Sequence, residues 1–406
     1  MTDTTATEYP FQPLPASEAV ERYRAVSRDR PMSKVVLPHG GEVWMVYRSQ
    51  TARAVLTDSR FSRRPFTTGE REVPFRVKFP EFFFETMMFT DQPDHTKLRR
   101  LVARAISPRA VKEMRASAVA HANLLIDRLL ERGGPADLQH HYALSLPIEM
   151  LSNLLGVPVE DREDFEKWAF SMLAVSGIDA STKTRYMQEL RAYFVDLIRL
   201  RREDPRDDLI SSLAMARERD ESLTDDEILP IAMILLVGGF DNTANTICIG
   251  VQALLNNDEQ RELFLSDIDG LAPTAVEEIL RHGKFAIGGE VLGMGNSVPC
   301  VAMEDVTVDG QLIRAGDAVM VDNAAVNHDD ATFDHPERFD ITRTDNPHFG
   351  LSYGIHNCIG APLARLEVQV GISELFRRIP NLRVAGEMAE DPTQIGQSIT
   401  QFPVTW

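Results

Sequence analysis

The stretch "SYGIHNCIGAPLARLE", residues 352–367, decides how the rest of the chain is interpreted. Cys358 lies between Gly354 and Gly360, and the residues after it predict an amphipathic helix from about 360 to 377. A lone cysteine is most often a small buried hydrophobic residue. Two features favour another role here: glycines let a backbone approach another group closely, and a helix N-terminus favours thiolate over thiol.

The number of cysteines limits what such a thiolate could bind. The chain has three, Cys248, Cys300 and Cys358, with no C-x-x-C pair, which disfavours a zinc site, a thioredoxin motif or a disulfide framework. An iron–sulfur cluster needs several cysteine ligands, whereas one thiolate holding one iron is typical of haem. The sequence therefore predicts Cys358 as the ligand of a haem iron, in the reducing cytoplasm.

Composition and charge exclude several classes of protein. The 406 residues carry a net charge of −18, so we expect no binding to nucleic acid or to an anionic membrane. No run of about 18 apolar residues occurs, and the first residues lack the pattern of a signal peptide. We expect a flexible lead-in over residues 1–14, then one domain from 15 to 406, monomeric in solution.

Hydrophobic periodicity predicts a mainly α fold with small β-sheets. Residues 33–47 predict a β-hairpin with Gly40 and Gly41 at its turn. Helical patterns fill most of residues 94–180, with breaks near 133–134 and 156–158, and continue over 183–203. Short strands are expected over 297–323 and in the C-terminal tail.

The longest predicted helix covers residues 222–257 and is apolar nearly all round, so it should be buried. Thr224 and Glu227 have the spacing of a capping box at its start. Asp241, Asn242 and Thr243 place a polar cluster at its middle. Buried polar groups must be hydrogen-bonded or functional, so this cluster is a candidate catalytic site.

Four further motifs, each weak alone, accompany the cysteine loop: DQPDHTKLRR (91–100), LLVGGFDNTANT (235–246), EEILR (277–281) and HPERFD (335–340). In this combination and order the chain resembles a bacterial cytochrome P450 from about residue 15 to the C-terminus. The resemblance implies the cytochrome P450 fold, with a long central helix over haem b (iron protoporphyrin IX). It also implies a monooxygenase-type oxidoreductase that takes electrons from an external ferredoxin and its reductase.

The resemblance assigns roles to individual residues. Cys358 matches the thiolate ligand of the iron, and the matches to propionate-binding residues are His95, Arg99 and His356. A buried structural triad behind the cysteine loop is matched by Glu278, Arg281 and Arg338. The segments that match the substrate pocket are apolar, and the candidate pocket residues in them are Met88, Gly238, Phe285, Ile287, Ser398 and Ile399.

The chain departs from the family pattern at several positions. Asn242 stands where the family has a threonine directly after the acid, here Asp241, and an amide cannot relay a proton as simply as a hydroxyl. Leu351 replaces a phenylalanine beside the sulfur, and Cys300 stands where many relatives have an arginine that contacts a propionate. Residues 283–297 are glycine-rich, which predicts a reshaped pocket wall or a loop excursion.

Residues 97–115 carry seven basic side chains against one acid. Such a basic segment is either a solvated helix face or a docking surface for an acidic ferredoxin, attracted by its charge.

Three functions remain open from the sequence. The first is oxidation of a small apolar secondary metabolite of aromatic type. The second is oxidative C–C or C–N coupling of aromatic substrates without oxygen insertion, which Asn242 and the glycine-rich segment favour. The third is a non-catalytic haem protein, against which the retained Asp241 argues.

Overall fold

The structure is a computed structural model that describes residues 7–8, 14–15, 21, 25, 28, 30–75, 78, 81–173, 178–218, 221–283, 290–291, 297–391 and 398–406. The chain folds into two compact units. The first comprises Met1–Phe84, Met88–Asp91 and Ile249–Cys358. The second comprises Glu85–Met87, Gln92–Cys248 and Ile359–Trp406.

A six-stranded mixed sheet is the centre of the first unit. Its strands, in spatial order, are Thr7–Glu8, Met32–Leu37, Gly41–Val46, Ala318–Val321, Cys300–Ala302 and Phe61–Ser62. The predicted hairpin is confirmed: Met32–Leu37 pairs antiparallel with Gly41–Val46. Gly40 has φ +71°, and a Cβ there would lie 2.5 Å from the backbone of Pro74, so only glycine fits this turn.

The remaining elements of the first unit surround a buried apolar cluster that includes Trp44, Val46, Val319 and Phe349. Two further strand pairs join Val306–Val308 to Gln311–Ile313 and Leu14–Pro15 to Glu290–Val291. The described helices that lie wholly in this unit are Ser49–Thr57, Arg64–Thr67, Asp258–Ser266, Ile268–His282, Asn323–Asn327 and the 3₁₀ turn Gly354–His356.

The second unit is built from helices, with three small sheets at its margins. The described α-helices that lie wholly in this unit are Asp94–Ala105, Pro108–Arg132, Ser145–Leu155, Arg162–Leu173, Ala180–Glu203, Leu209–Ala214, Asp225–Gly239 and Ala361–Arg378. Short strands form the sheets Arg383–Val384 with Pro403–Thr405 and Ala136–Asp137, Ala389–Glu390 with Ile399–Gln401, and Arg217–Glu218 with Glu221–Ser222. A π-helical segment, Gln139–Ala143, and the 3₁₀ turn Val159–Asp161 also belong to this unit, whereas the 3₁₀ turns Glu81–Glu85 and Met87–Phe89 each include residues of both units.

Glycines end two of these helices where the sequence predicts breaks. Gly133 follows Pro108–Arg132 with φ +77°, and Gly156 follows Ser145–Leu155 with φ +78°. A left-handed residue stops a helix at little cost only when it is glycine. The predicted mainly α architecture with small sheets is therefore present in the described residues.

The predicted central helix is two helices, Asp225–Gly239 and Asp241–Asn256, which we call the central helix pair. Thr224 and Glu227 form the predicted capping box. The interruption falls at Phe240, next to two glycines, and side chains compete there for backbone carbonyls. Thr243 Oγ1 donates to Gly239 O at 2.8 Å and Asn242 Nδ2 to Gly238 O at 3.4 Å, which disturbs a regular helix.

By length and composition alone, Asp225–Asn256 could cross a membrane, but 72% of its most apolar window is buried inside the protein. The core helix of a soluble protein has the same properties, so this feature is weak evidence for a membrane span.

Candidate functional site

The loop that carries Cys358 is held by its own backbone. The Cys358 N–H donates to Leu351 O at 2.8 Å, and Asn357 Nδ2 donates to the carbonyls of Leu351 and Ser352 at 3.1 and 3.2 Å. Cys358 is half-buried and lies three residues before the helix Ala361–Arg378. The sulfur is thus presented on a fixed loop at a helix N-terminus, where negative charge is favoured.

Two glycines of this loop are required by neighbouring helices. A Cβ on Gly350 would lie 2.3 Å from Leu280 O, and a Cβ on Gly354 would lie 2.2 Å from Leu56 O. Gly354 also has φ +71°. The close approach that Gly354 permits is therefore to the end of helix Ser49–Thr57.

Behind the loop, Glu278 and Arg281 form a fully buried ion pair. Arg281 donates Nε to Glu278 Oε2 at 2.8 Å and Nη2 to Oε1 at 2.7 Å. Its remaining N–H groups reach the carbonyls of Asn327, Pro336 and Arg338 at 2.8–3.0 Å. One guanidinium therefore fixes the end of its own helix to the segment that precedes the cysteine loop.

The prediction that the Arg338 side chain is the third member of this network is wrong. Its side chain is exposed and only its carbonyl takes part. Arg343 approaches the acid instead, with Nε 3.3 Å from Glu278 Oε2, and its side chain is largely buried. The prediction rested on the arginine inside the motif HPERFD, but the turn of the chain after Phe339 brings Arg343 inward instead.

The central helix pair positions the candidate acid. Asp241 is buried, and its Oδ2 accepts from Ser398 Oγ at 2.5 Å and from Asn245 Nδ2 at 3.2 Å. Asn245 Oδ1 in turn accepts from the Ile399 N–H at 2.8 Å. Ser398 and Ile399 were predicted to line a substrate pocket, but both are buried: Ser398 contacts this acid and the Ile399 backbone contacts Asn245, because the tail returns alongside the helix.

Asn242 points elsewhere than Asp241. Asn242 and Gly238 are exposed and Thr246 is half-buried, although nearly every neighbouring residue of the helix pair is buried. A Cβ on Gly238 would meet nothing within 4 Å. These positions, at i, i+4 and i+8, form one open stripe. We call residues 238, 242 and 246 the open stripe.

Thr243 lies on a third side of the helix. It is 4% exposed, donates to Gly239 O, and lies near Glu367. Burial raises the pKa of the Glu367 carboxyl well above its usual range. Thr243, a predicted catalytic residue, is therefore not on the open stripe, because consecutive helical residues differ by about 100°.

Each of the two units separately carries a feature that suits an apolar, planar, iron-containing group. An open stripe on an otherwise buried helix gives such a group a surface to cover, and glycine at 238 leaves room for it. The half-buried Cys358 supplies the soft ligand that haem iron binds.

Comparison with known proteins identifies the family. The cytochrome P450 family profile matches residues 290–395. The chain is 38% identical over 409 residues to a mycinamicin IV hydroxylase/epoxidase of Micromonospora griseorubida, covering all of both chains. The chain is a cytochrome P450.

Two further comparisons agree with this assignment. The P450 is 37% identical over 409 residues to a nocardicin C N-oxygenase of Nocardia uniformis subsp. tsuyamanensis, again over all of both chains. Its fold matches the crystal structure of the mixed-function P450 MycG with a TM-score of 0.89 and 35% identity, covering 99% of this chain and 100% of the other. The predicted fold and the predicted monooxygenase-type activity are thereby confirmed.

Membership has consequences for cofactor and class. Cytochromes P450 use haem and receive electrons from an external redox partner, and these relatives are oxygenases of bacterial secondary metabolism. The alternative of a non-catalytic haem protein is therefore not favoured.

The P450's remaining described candidate residues lie in one helix and two 3₁₀ turns. His95 is buried in the first turn of helix Asp94–Ala105, and Arg99, one turn later, is half-buried. His356 is half-buried in the 3₁₀ turn Gly354–His356. Met88 is half-buried in the turn Met87–Phe89. The pocket candidates Phe285 and Ile287 lie outside the described residues.

Aromatic rings concentrate around one predicted pocket segment. Phe89 packs edge-on against Phe66, with ring centroids 6.1 Å apart, and against Phe84 at 5.0 Å. The adjacent turn stacks Phe82 on Phe83 at 4.2 Å. Ring clusters of this kind give apolar walls of defined shape.

The basic segment 97–115 is largely solvent-facing in the structure. Its exposed cations are Arg100, Arg104, Arg109, Lys112 and Arg115. Lys97 is paired with Glu227 at 3.7 Å and Arg109 with Glu113 at 3.4 Å. Both pairs are solvent-accessible and therefore weak, so the segment keeps a positive surface on a chain of net charge −18.

Proposed function

We propose that this P450 oxidises a small apolar secondary metabolite of aromatic type, with Cys358 holding the haem iron and Asp241 supplying protons. His95, Arg99 and His356 would hold the haem propionates. Haem, when bound, supplies the oxidising power for the reaction. The observation that carries the proposal is the open stripe beside a buried, hydrogen-bonded acid.

Asp241 is well placed to hold and release a proton. Two donors, Ser398 Oγ and Asn245 Nδ2, fix one carboxylate oxygen, so the orientation of the acid does not depend on the substrate. Such preorganisation lowers the cost of directed proton transfer.

Asn242 would orient water on the open stripe without relaying protons itself. Its amide has donors and an acceptor but no group that exchanges a proton readily. The hydroxyls next to it are engaged with backbone carbonyls: Thr243 donates to Gly239 O and Thr246 to Asn242 O. Proton delivery from Asp241 to the stripe therefore passes through water or through the substrate.

This arrangement favours a second candidate function, oxidative coupling of aromatic rings through C–C or C–N bonds. Coupling begins with hydrogen abstraction from an N–H, O–H or activated C–H and retains no oxygen atom. Coupling depends less on a hydroxyl that relays protons, and the presence of Asn242 in place of a hydroxyl residue favours this function.

The experiment that separates insertion from coupling uses ¹⁸O₂ and product mass. Haem-loaded enzyme is supplied with NADPH, a ferredoxin, its reductase and a panel of phenolic and indolic metabolites that shift the haem spectrum. Insertion adds one labelled oxygen atom; coupling removes two hydrogens and adds none. The proposed oxidation is refuted if no panel member that binds is converted while NADPH is consumed normally.

Asn242→Thr tests the residue behind the choice. We expect more labelled oxygen in the product, or a changed ratio of product to NADPH consumed, because a hydroxyl is restored to the open stripe. Asn242→Gln, which keeps an amide, is the matched control and should leave product identity unchanged. Unchanged products and coupling in Asn242→Thr would remove the main support for the coupling function.

We also propose that an acidic ferredoxin docks on the basic segment 97–115. Electrostatic steering predicts that haem reduction slows as salt rises. Arg104→Glu and Lys112→Glu should slow reduction at low salt by about tenfold. Arg185→Glu, an exposed arginine on another helix, is the control. Equal rates in all three variants would contradict docking at this segment.

A further inference from the structure

Arg63 is a buried cation that the site described above does not use. It lies between the strand Phe61–Ser62 and the helix Arg64–Thr67 and is 5% exposed. Its Nη1 donates to Met88 O at 2.6 Å, and Nη2 is 3.4 Å from Val298 O. An arginine is usually exposed, as the neighbouring Arg64 is, so the burial of Arg63 is unusual for its residue type.

The guanidinium has no anionic partner among the residues that the structure describes. The nearest carboxyl, Asp91, accepts from Ser62 Oγ and from the backbone N–H of Arg63 instead. Burial lowers the pKa of Arg63 to about 10, opposed by the nearby Cys300 and Asp91, so the side chain remains charged at neutral pH. Two carbonyl contacts do not neutralise a buried charge, which is costly until it is paired.

The strand register places Arg63 beside Cys300. Val301 pairs with Ser62 and Ala302 with Phe61, so one further step along the antiparallel ladder sets Cys300 opposite Arg63. Side chains at opposite positions project from the same face and lie close together. Cys300 is not the counter-ion, because burial raises the pKa of its thiol to about 12 and it is neutral.

We propose that Arg63 is a carboxylate-binding residue, which neutralises its buried charge with a carboxylate brought by a bound group. Two sources have this chemistry, a haem propionate and an acidic substrate. In either case the guanidinium is supplied from position 63, whereas the opposite strand position, Cys300, carries no charged group. The inference rests on the proposed haem site, and Arg63 adds to it a contact that neither motif nor resemblance assigned.

The geometry suits this role. The Arg63 side chain is held by backbone contacts from two segments, so it is oriented before a ligand binds. A planar guanidinium offers two parallel N–H groups to a carboxylate, and charge-assisted hydrogen bonds of this kind are about twice as strong as neutral ones.

The experiment measures haem transfer from haem-loaded, full-length protein to excess apomyoglobin, without substrate. We compare wild type with Arg63→Met, which keeps length without charge, and Arg63→Lys, which keeps charge. Arg64→Met, at the exposed neighbour, is the matched control. If a propionate is the partner, Arg63→Met should lose haem at least tenfold faster, Arg63→Lys by less, and Arg64→Met at the wild-type rate.

Haem dimethyl ester, in which both propionates are masked, makes the test specific. Wild type and Arg63→Met, each loaded with the ester, should lose the ester at the same rate. The double variant Arg63→Met/Cys300→Arg should recover slow transfer of ordinary haem, because the charge returns on the opposite strand; it also serves if the single variant folds poorly. A merely structural Arg63 would not produce this rescue.

A second measurement identifies an acidic substrate as the source. Spectral titration of haem-loaded protein with 4-phenylbutyrate and with 4-phenylbutanamide compares an acid with its neutral amide. If haem transfer is unchanged in Arg63→Met but the preference for the acid is lost, the partner is a substrate carboxylate. If neither haem transfer nor acid preference changes in Arg63→Met, the proposal is overturned; an intact thiolate spectrum in that variant would leave the proposed function standing.

Discussion

Replacing Arg281 by methionine should destabilise the P450 severely while leaving its chemistry untouched. The guanidinium makes five hydrogen bonds, two to Glu278 and three to carbonyls, and also lies 5.3 Å from the Phe333 ring centroid. Methionine fills similar space but donates none of these bonds.

The magnitude follows from what the substitution leaves behind. The buried Glu278 carboxylate retains the Asp340 N–H at 2.9 Å, Asn346 Nδ2 at 3.1 Å and the ion-pair contact with Arg343. Breaking a buried pair by removing one partner costs about 3–5 kcal/mol. Folded proteins are stable by only about 5–15 kcal/mol, and a loss of this size lowers the amount of folded protein that accumulates in cells. We therefore expect little soluble, haem-loaded protein after expression at 37 °C.

Two other arginines of the same region should give smaller losses of stability than Arg281. Arg343→Met should cost about 1.5–3 kcal/mol, as expected for lost bonds to a charged group, since Arg343 also donates to Asp334 O at 2.9 Å. Arg338→Met should lie within about 0.5 kcal/mol of wild type, because this side chain is exposed.

Urea denaturation, followed by far-UV circular dichroism and by the haem absorption band, measures all three. With an m-value of about 3 kcal/mol per molar urea, a loss of about 3–5 kcal/mol in Arg281→Met should lower the midpoint by about 1–1.7 M. If Arg281→Met folds and holds haem like wild type but loses turnover, the structural role is wrong. If Arg338→Met is as damaging as Arg343→Met, the assignment of the third member is wrong.

Three further outcomes are expected. Cys358→Ser should abolish the long-wavelength absorption band typical of reduced, CO-bound haem-thiolate proteins, while Cys248→Ala and Cys300→Ala keep it; a retained band in Cys358→Ser would refute the ligand assignment. Burial lowers the pKa of His282 from 6.5 to about 4, so the unfolded chain takes up this proton first and stability should fall as pH drops through that window, by up to about 1.4 kcal/mol per unit; His282→Gln should flatten the slope. Thr224→Ala should cost about 1 kcal/mol through loss of the capping box, measured by urea denaturation, with Ser222→Ala, outside the cap, near wild type.

Local signals in the sequence predicted the local structure well. The hairpin turn at Gly40 and Gly41, the capping box at Thr224 and the glycine-terminated helices depend on residues a few positions apart, whose conformational preferences are intrinsic. The pairing of Glu278 with Arg281 also follows from i, i+3 spacing on one helix.

Contacts between distant segments could not be predicted in the same way. Ser398 reaches Asp241 across 157 positions of sequence, and no periodicity in either segment encodes that approach. The sequence identified both residues as candidates, but it assigned Ser398 to an open pocket, whereas its hydroxyl orients the acid. The prediction that Arg338 joins the buried network failed for the same reason, since Arg338 and Arg343 both follow Pro336 and only the path of the chain decides which side chain is buried.

Asp241, Asn242 and Thr243 show why adjacent polar residues in a buried helix need not share a role. The three side chains are turned by about 100° from one to the next: Asp241 meets Ser398, Asn242 lies on the open stripe, and Thr243 meets Glu367. A hydroxyl at 243 therefore cannot substitute for one at 242, however close the two are in sequence. Because Thr243 already bonds Gly239 O, turning it toward the stripe would also leave that carbonyl without its side-chain donor. Under the proposed function, the relay that a threonine at position 242 would provide comes from water or from the substrate, and the chemistry of the substrate is then part of proton delivery.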